Sequence, residues 1–285
     1  MQYIKSPLNY TGGKYKLLPQ LLELFPKDIN TFVDLFGGGG NVAVNVPAKH
    51  IIYNDIIFHI PEMLQEFKRC GATECLRRID NYIERYKLTQ KNKEGFLKLR
   101  KLYNSANPMD PLMLYTLICY TFNYQLRFNN KLEYNGSFGK DRSSFNPALR
   151  ENFIAFVNRL QEIDIHFIST DFRELNVHNL KGDDFIYCDP PYSITCVTYN
   201  DGKRGFNGWS AKDDKILFEM LDSVDKIGIK FALSNVLESK GKSNDALKAW
   251  AKKYNVNYLD SNYRNCNYMR KDRESKDIEV LITNY

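Results

Sequence analysis

The stretch Asp184-Phe185-Ile186-Tyr187-Cys188-Asp189-Pro190-Pro191-Tyr192 decides how this chain is read. Its first five residues make a short apolar run with the character of a buried strand. Two prolines then stop the strand, because proline offers no ladder donor and holds φ near about −65°. The chain must turn out of the sheet there. In open α/β sheets ligands bind at the carboxyl ends of the strands. The turn therefore places the Asp189 carboxylate, the Pro190 carbonyl and the Tyr192 ring together, with Pro191 stiffening the exit. This group suits a planar base bearing an exocyclic amine, with Asp189 and the Pro190 carbonyl accepting its two N–H hydrogens and Tyr192 stacking on its face. A rigid exit loop without a ligand fits the tetrapeptide too, and the remainder of the chain decides between them.

Working outward, residues 31–36 read as a short apolar strand ended by Gly37-Gly38-Gly39-Gly40-Asn41. Glycines there remove side chains where backbone must approach a ligand. A second strand over 51–53 ends in Asn54-Asp55. Asp55 stands about as far past the glycine turn as the acidic residue that takes ribose hydroxyls in nucleotide-binding βαβ units. The G-x-G-x-x-G dinucleotide pattern is absent, and a plain tight turn followed by an unrelated aspartate remains open on this evidence. On the carboxyl side, a strand over 165–168 ends in Thr170-Asp171-Phe172, a helix is expected over 211–224, a strand over 227–233 ends in Ser234-Asn235, a helix follows near 246–254, and a last strand spans 278–283. Between the halves the apolar period changes to helical from about 61 to 120. An aromatic-polar alternation over 122–140 around Asn129-Asn130-Lys131 then predicts a hairpin, and 147–163 returns to helix. The expected architecture is a single α/β sheet domain, residues 1–59 and 164–285, interrupted by a helical and β-hairpin insertion over 60–163.

With 285 residues the chain can bury a full core. No apolar run reaches the length of a membrane span and the first residues lack the apolar centre of a signal peptide, so a cytoplasmic, nucleoid-associated protein is expected. Six cysteines (Cys70, Cys75, Cys119, Cys188, Cys196, Cys266) show no C-x-x-C spacing. Neither a disulfide framework nor a metal site is indicated, and reduced thiols are expected. A formal net charge of +6 is a weak pointer to a polyanion by itself. The concentration of Arg127, Lys131, Lys140, Arg142 and Arg150 against Glu133 and Asp141 within one aromatic-rich segment is stronger.

Taken in order, Leu8-Asn9-Tyr10-Thr11-Gly12-Gly13-Lys14, Phe32-Val33-Asp34-Leu35-Phe36-Gly37-Gly38-Gly39, Tyr53-Asn54-Asp55, Arg127-Phe128-Asn129 with Phe138-Gly139, Asp171-Phe172, Asp189-Pro190-Pro191-Tyr192, Leu233-Ser234-Asn235 and Glu279-Val280-Leu281-Ile282-Thr283-Asn284-Tyr285 closely resemble the D12-class, Dam-like DNA N6-adenine methyltransferases, in the α order of motifs. The resemblance implies a Rossmann-like fold binding S-adenosyl-L-methionine. It implies cofactor contacts at Tyr10, Gly13, Lys14, Asp34, Phe36, Gly37, Gly38, Asn54, Asp55, Asp171, Phe172 and Asp189, with Asp55 on the ribose and Asp171-Phe172 at the adenine. Tyr10 stands where many members carry tryptophan.

The same resemblance implies double-stranded DNA as substrate, a flipped-out adenine as target, and direct methyl transfer to N6 by Asp189, Pro190, Pro191 and Tyr192. A restriction endonuclease acting separately is a possible partner, and a monomer or weak dimer is expected. Target reading falls to Asn123, Tyr124, Gln125, Arg127, Asn129, Lys131, Ser137, Lys140 and Arg142, with Arg127 as the reader of a guanine; a simple pair of Arg127 with Glu133 is the plainer alternative. Asn123-Tyr124-Gln125 and Asn135-Gly136-Ser137-Phe138-Gly139 differ from the corresponding segments of the GATC enzymes, so another target is expected. Two other readings remain: N4-cytosine methylation, which usually goes with Ser at the head of the tetrapeptide, and a non-catalytic DNA-binding homologue, which would be expected to lose Asp189 or the glycine turn.

Overall fold

The computed structural model describes residues 3–129, 131–195, 208–260 and 277–285; Asn130, Cys196 and Cys266, named above, lie outside them. The strands are β1 (Ile29–Asp34), β2 (Ala48–Asn54), β3 (Ile165–Ile168), β4 (Phe185–Cys188), β5 (Lys230–Ser239), a two-residue β6 (Lys242–Ser243), β7 (Asn255–Leu259) and β8 (Ile278–Thr283). They form one sheet in the order β3-β2-β1-β4-β5-β8-β7, with β6 paired only to β5. The first five of that order run parallel, while β8 is antiparallel to both β5 and β7. The fold is a Rossmann-like α/β sheet. Its strand order reverses between β1 and β4, and the crevice at such a switch point is where open α/β sheets take ligands.

Each face of the sheet has its own apolar layer. Phe32, Phe185, Tyr187, Ala232 and Leu281 point to one side, where they meet the first helix, α1 (Leu18–Leu24), and an apolar cluster that continues without a break through the insertion to Phe67, Phe96, Tyr115 and Phe153. Val33, Ile186, Phe231, Leu233, Val280 and Ile282 point to the other, against Leu217 and Leu221 of a helix over Ala211–Lys226 and Trp250 of a helix over Asp245–Ala251. The alternation of partners along each strand follows from its two-residue side-chain period.

The insertion joins β2 to β3. Its helices are α2 (His59–Arg85), α3 (Lys93–Ser105), α4 (Pro111–Cys119) and α5 (Pro147–Glu162), which makes the two carboxyl-terminal helices α6 and α7. Helix α2 breaks at Gly71, whose φ of 74° needs glycine. Asn92, Asp110 and Asn146 cap α3, α4 and α5 by accepting from backbone N–H groups of the first turn.

Three expectations need correction. The segment 122–140 is not a regular hairpin: only the bridges Thr121–Phe138 and Phe128–Tyr134 form, with a 3-10 turn over Phe122–Tyr124. Asn123 and Tyr124 both take left-handed φ, 54° and 55°, and that breaks the extended run. The expected strand over 227–233 begins at Lys230, because Ile227 and Gly228 close the end of α6, and it continues to Ser239. Helix α7 ends at Ala251, and Asn255–Leu259, unassigned from the sequence, forms strand β7 at the sheet edge. No helix among the described residues is long and apolar enough to cross a membrane.

Candidate active site

The site is built where β1, β2 and β4 end. The Leu35 N–H donates to the Tyr187 carbonyl (3.0 Å) and the Gly37 N–H to the Asn54 carbonyl (2.7 Å), so the glycine turn begins locked to both neighbouring strands. Asp55 holds the turn further: its Oδ2 accepts from the Gly38 N–H at 3.0 Å and its Oδ1 from the Ile57 N–H at 2.9 Å. The glycines are needed for space. A Cβ on Gly37 would lie 2.1 Å from the Tyr53 ring, and one on Gly38, whose φ is +50°, 2.9 Å from the Tyr10 ring. Tyr53 donates its hydroxyl to the Gly38 carbonyl. The turn therefore presents main chain, backed by two tyrosine rings.

The amino-terminal segment reaches this turn through two asparagines. Asn41 Oδ1 accepts from the Ser6 N–H (2.9 Å), and Asn45 exchanges hydrogen bonds with both backbone groups of Ile4 (2.8 and 2.7 Å). Gly13 closes a tight turn onto the Tyr10 carbonyl (3.1 Å), which directs Lys14 inward. Lys14 is 3% exposed, and its Nζ lies 2.8 Å from Asp189 Oδ1 and 3.6 Å from Glu279 Oε1 while donating to the Gly12 carbonyl at 3.0 Å. Tyr192 folds back over this group, with its hydroxyl 2.9 Å from Asp189 Oδ1 and 3.3 Å from Glu279 Oε1 and its ring centroid 5.2 Å from Lys14 Nζ.

Two carboxylates, Asp189 and Glu279, thus face one buried ammonium, and Asp34 lies close enough to Asp189 and Asp55 to feel their charge. Burial is the main cause that lifts the Asp34 carboxyl to about 8; Asp189 and, less, Asp55 add to the rise, against the Ala43 N–H. Its Oδ2 is buried without a hydrogen-bond partner among the described residues. Burial also raises Glu279, opposed by Lys14. An acidic pocket with a bare backbone wall and an orphaned carboxylate oxygen fits a small cationic ligand. Among the described residues no group of His, Cys, Asp or Glu side chains could hold a metal ion.

Beside the turn, Phe36, Phe172 and Trp209 pack ring against ring at 5.3–5.6 Å. Asp171 caps the 3-10 turn over Phe172–Glu174, and its other oxygen pairs with Arg173, which also reaches Asp213. Asn54 acts differently from the residues that face the pocket. At 2% exposure, its amide donates to the Leu35 and Thr170 carbonyls and accepts from the Thr170 N–H, which ties the ends of β1, β2 and β3.

The proposed reading residues lie on the irregular segment of the insertion. Gln125, Arg127, Lys131, Ser137, Lys140 and Arg142 are exposed, and the guanidinium of Arg142 sits over the Phe122 ring. Arg127 does not pair with Glu133; Glu133 accepts from Asn129 Nδ2 at 2.7 Å, and Asn129 Oδ1 accepts from the backbone N–H groups of Lys131 and Glu133. Asn129 thus braces the turn. Tyr124 receives the Asn146 amide on its hydroxyl (3.3 Å), and the Asn123 carbonyl accepts from Asn9 Nδ2 at 2.8 Å, linking this segment to the amino-terminal loop.

Glu279, Asn41, Asn45, Trp209 and Arg173 were not singled out from the sequence. Only Glu279 carried a signal, as a lone acid within the apolar run of a buried strand, where a charge needs a partner.

Comparison with known proteins agrees with this geometry. A family model described as "D12 class N6 adenine-specific DNA methyltransferase" matches residues 10–266. The modification methylase StsI of Streptococcus sanguinis is 50% identical over 286 residues, covering 100% of this chain and 43% of that protein. The type II methyltransferase M.FokI of Planomicrobium okeanokoites is 48% identical over 283 residues, covering 99% and 43%. A DNA adenine methylase of Vibrio cholerae is 26% identical over 238 residues, 82% of each. The chain therefore spans less than half the length of its two more similar relatives, and it belongs to the D12 class of N6 adenine-specific DNA methyltransferases.

Proposed function

We propose that this chain transfers a methyl group from S-adenosyl-L-methionine to N6 of an adenine in duplex DNA, as the modification enzyme of a cytoplasmic restriction-modification system. One observation carries the reading: Asp189, 17% exposed, sits at the carboxyl end of β4 beside a buried lysine and next to a glycine turn with an unpaired buried carboxylate oxygen. Use of S-adenosyl-L-methionine is general to the family, and the acidic pocket suits its positive charge. When bound, the cofactor supplies an electrophilic methyl group on a sulfonium. Tyr10, Gly13, Lys14, Gly37, Gly38, Asp34, Asp55, Asp171 and Phe172 are the residues that would hold it.

The adenine N6 is a weak nucleophile because its lone pair is delocalised into the ring. Asp189 and the Pro190 carbonyl accept its two hydrogens, which favours pyramidal nitrogen. Tyr192 supports the face of the base once it has left the stack, at a cost of about a few kcal/mol. Much of the rate then comes from holding the reacting groups in line. Segment 60–163 serves as the target-recognition unit and the remainder as the catalytic unit. That the relatives are named modification methylases supports a restriction partner.

The test is Asp189→Ala. Methyl transfer to duplex DNA, followed with labelled cofactor, is expected to fall below about a tenth of the wild-type rate, a barrier increase of at least about 1.4 kcal/mol. Retention of more than that removes Asp189 from the chemistry.

A further inference from the structure

Strand β8 runs against its neighbours, so its first residues, not its last, arrive at the edge where β4 ends. The second of them is Glu279, 2% exposed, on the face that also carries Leu281 and its cross-strand partner Ser234. A buried carboxylate costs several kcal/mol to desolvate, and in a strand otherwise composed of apolar residues and threonine it has no packing role that an apolar residue would not fill better. Its Oε1 faces two donors at once, the Tyr192 hydroxyl at 3.3 Å and the Lys14 ammonium at 3.6 Å. Both donors also face Asp189 Oδ1, and more closely, at 2.9 and 2.8 Å.

The Tyr192 hydroxyl carries one hydrogen and has two carboxylate acceptors within reach. While that hydrogen and the Lys14 ammonium both lie on Asp189 Oδ1, that oxygen has little capacity left and an incoming amine hydrogen is confined to Oδ2. A second acceptor within reach of the same hydroxyl opens Oδ1 to the amine as well. We propose that Glu279 is a positioning residue that takes over the Tyr192 hydroxyl when substrate arrives, leaving Asp189 Oδ1 to the target amine. This rests on the assignment of Asp189 as the amine acceptor. No bond to hydrogen is broken: the Tyr192 O–H rotates from one acceptor to another, and the carboxylates keep their charges. The arrangement also keeps Tyr192 oriented in both states, since the ring is tethered through its hydroxyl on either side of the exchange.

The experiment measures single-turnover methyl transfer at saturating cofactor and duplex DNA, with thermal unfolding recorded for every variant. Glu279→Ala is expected to react about tenfold or more slowly, as for loss of a hydrogen bond to a charged group, with DNA affinity unchanged. Glu279→Gln keeps an acceptor oxygen in place and is expected to recover most of the rate. In a Tyr192→Phe background, which keeps the ring and lacks the hydroxyl, Glu279→Ala is expected to have little further effect on the rate. Equal losses for the Ala and Gln variants, or the same loss with and without the Tyr192 hydroxyl, would overturn the proposal, because a structural role or a bare charge effect predicts those results. Asp189→Ala serves as the reference. If it stays active, the underlying site assignment fails; if it is inactive while Glu279→Ala transfers at the wild-type rate, only the role of Glu279 fails.

Discussion

Asp34 stands at the end of β1 with one oxygen lacking a hydrogen-bond partner among the described residues and its carboxyl lifted to about 8. An aspartate ordinarily titrates near about 3.9, so between those values the folded chain binds a proton that the unfolded chain has released. Stability linked to this group is therefore present at low pH and lost as the pH rises through about 8. Asp34→Asn is expected to raise the midpoint of thermal unfolding of the ligand-free chain more at pH 8 than at pH 5, and to weaken S-adenosyl-L-methionine binding in calorimetry. A variant with the same pH dependence as wild type shows that Asp34 is already ionised in the fold. None of this was legible in the sequence, where Asp34 was one motif letter among several. Its burial depends on the β4 and glycine-turn backbone closing around it. Asn54 shows the same limit: its motif position said nothing of its amide, which ties three strand ends.

At the level of elements, the sequence located the strands that carry the site because each combines a short continuous apolar run with a breaker, the four glycines after β1 and the two prolines after β4. Strand β8 was equally legible, from 278 to 283. Strand β7 was missed because an edge strand needs little apolar alternation, and Asn255 and Asn257 disguise it. The recognition segment was read as a hairpin, yet side chains hold it in place of a ladder. Arg100 donates to the Gly136 carbonyl at 2.9 Å, Asn104 bonds both backbone groups of Tyr134, and the Tyr134 hydroxyl meets Thr121. Such clamps depend on distant helices and leave no local pattern. They leave Gln125, Arg127, Lys131, Ser137, Lys140 and Arg142 on the surface. Arg127→Ala is expected to lose discrimination at one base pair, about 1–3 kcal/mol, with sequence-independent binding spared. Lys140→Ala should weaken all duplexes alike and reduce the salt slope by about one. Titration of single-base-pair variants of the target at fixed salt distinguishes them, and a uniform loss for Arg127→Ala removes it from base reading.

Across the whole molecule, the apolar cluster runs from the sheet into the insertion without a break. Phe153 sits within it, fully buried against Phe67, Tyr115 and Phe145. A large-to-small change there costs about 3–5 kcal/mol. If the core is shared, Phe153→Ala lowers a single unfolding transition seen alike by far-ultraviolet circular dichroism and by fluorescence of Trp209 and Trp250, which lie on the opposite face of the sheet. Two separate transitions would mean that the insertion folds independently.

The hydrogen bond from Asn9 to the Asn123 carbonyl joins the loop that leads into Tyr10 and Lys14 to the left-handed turn that opens the recognition segment. The two segments are thus in direct contact. Any factor by which target DNA alters cofactor affinity through this contact must equal the factor by which the cofactor alters DNA affinity.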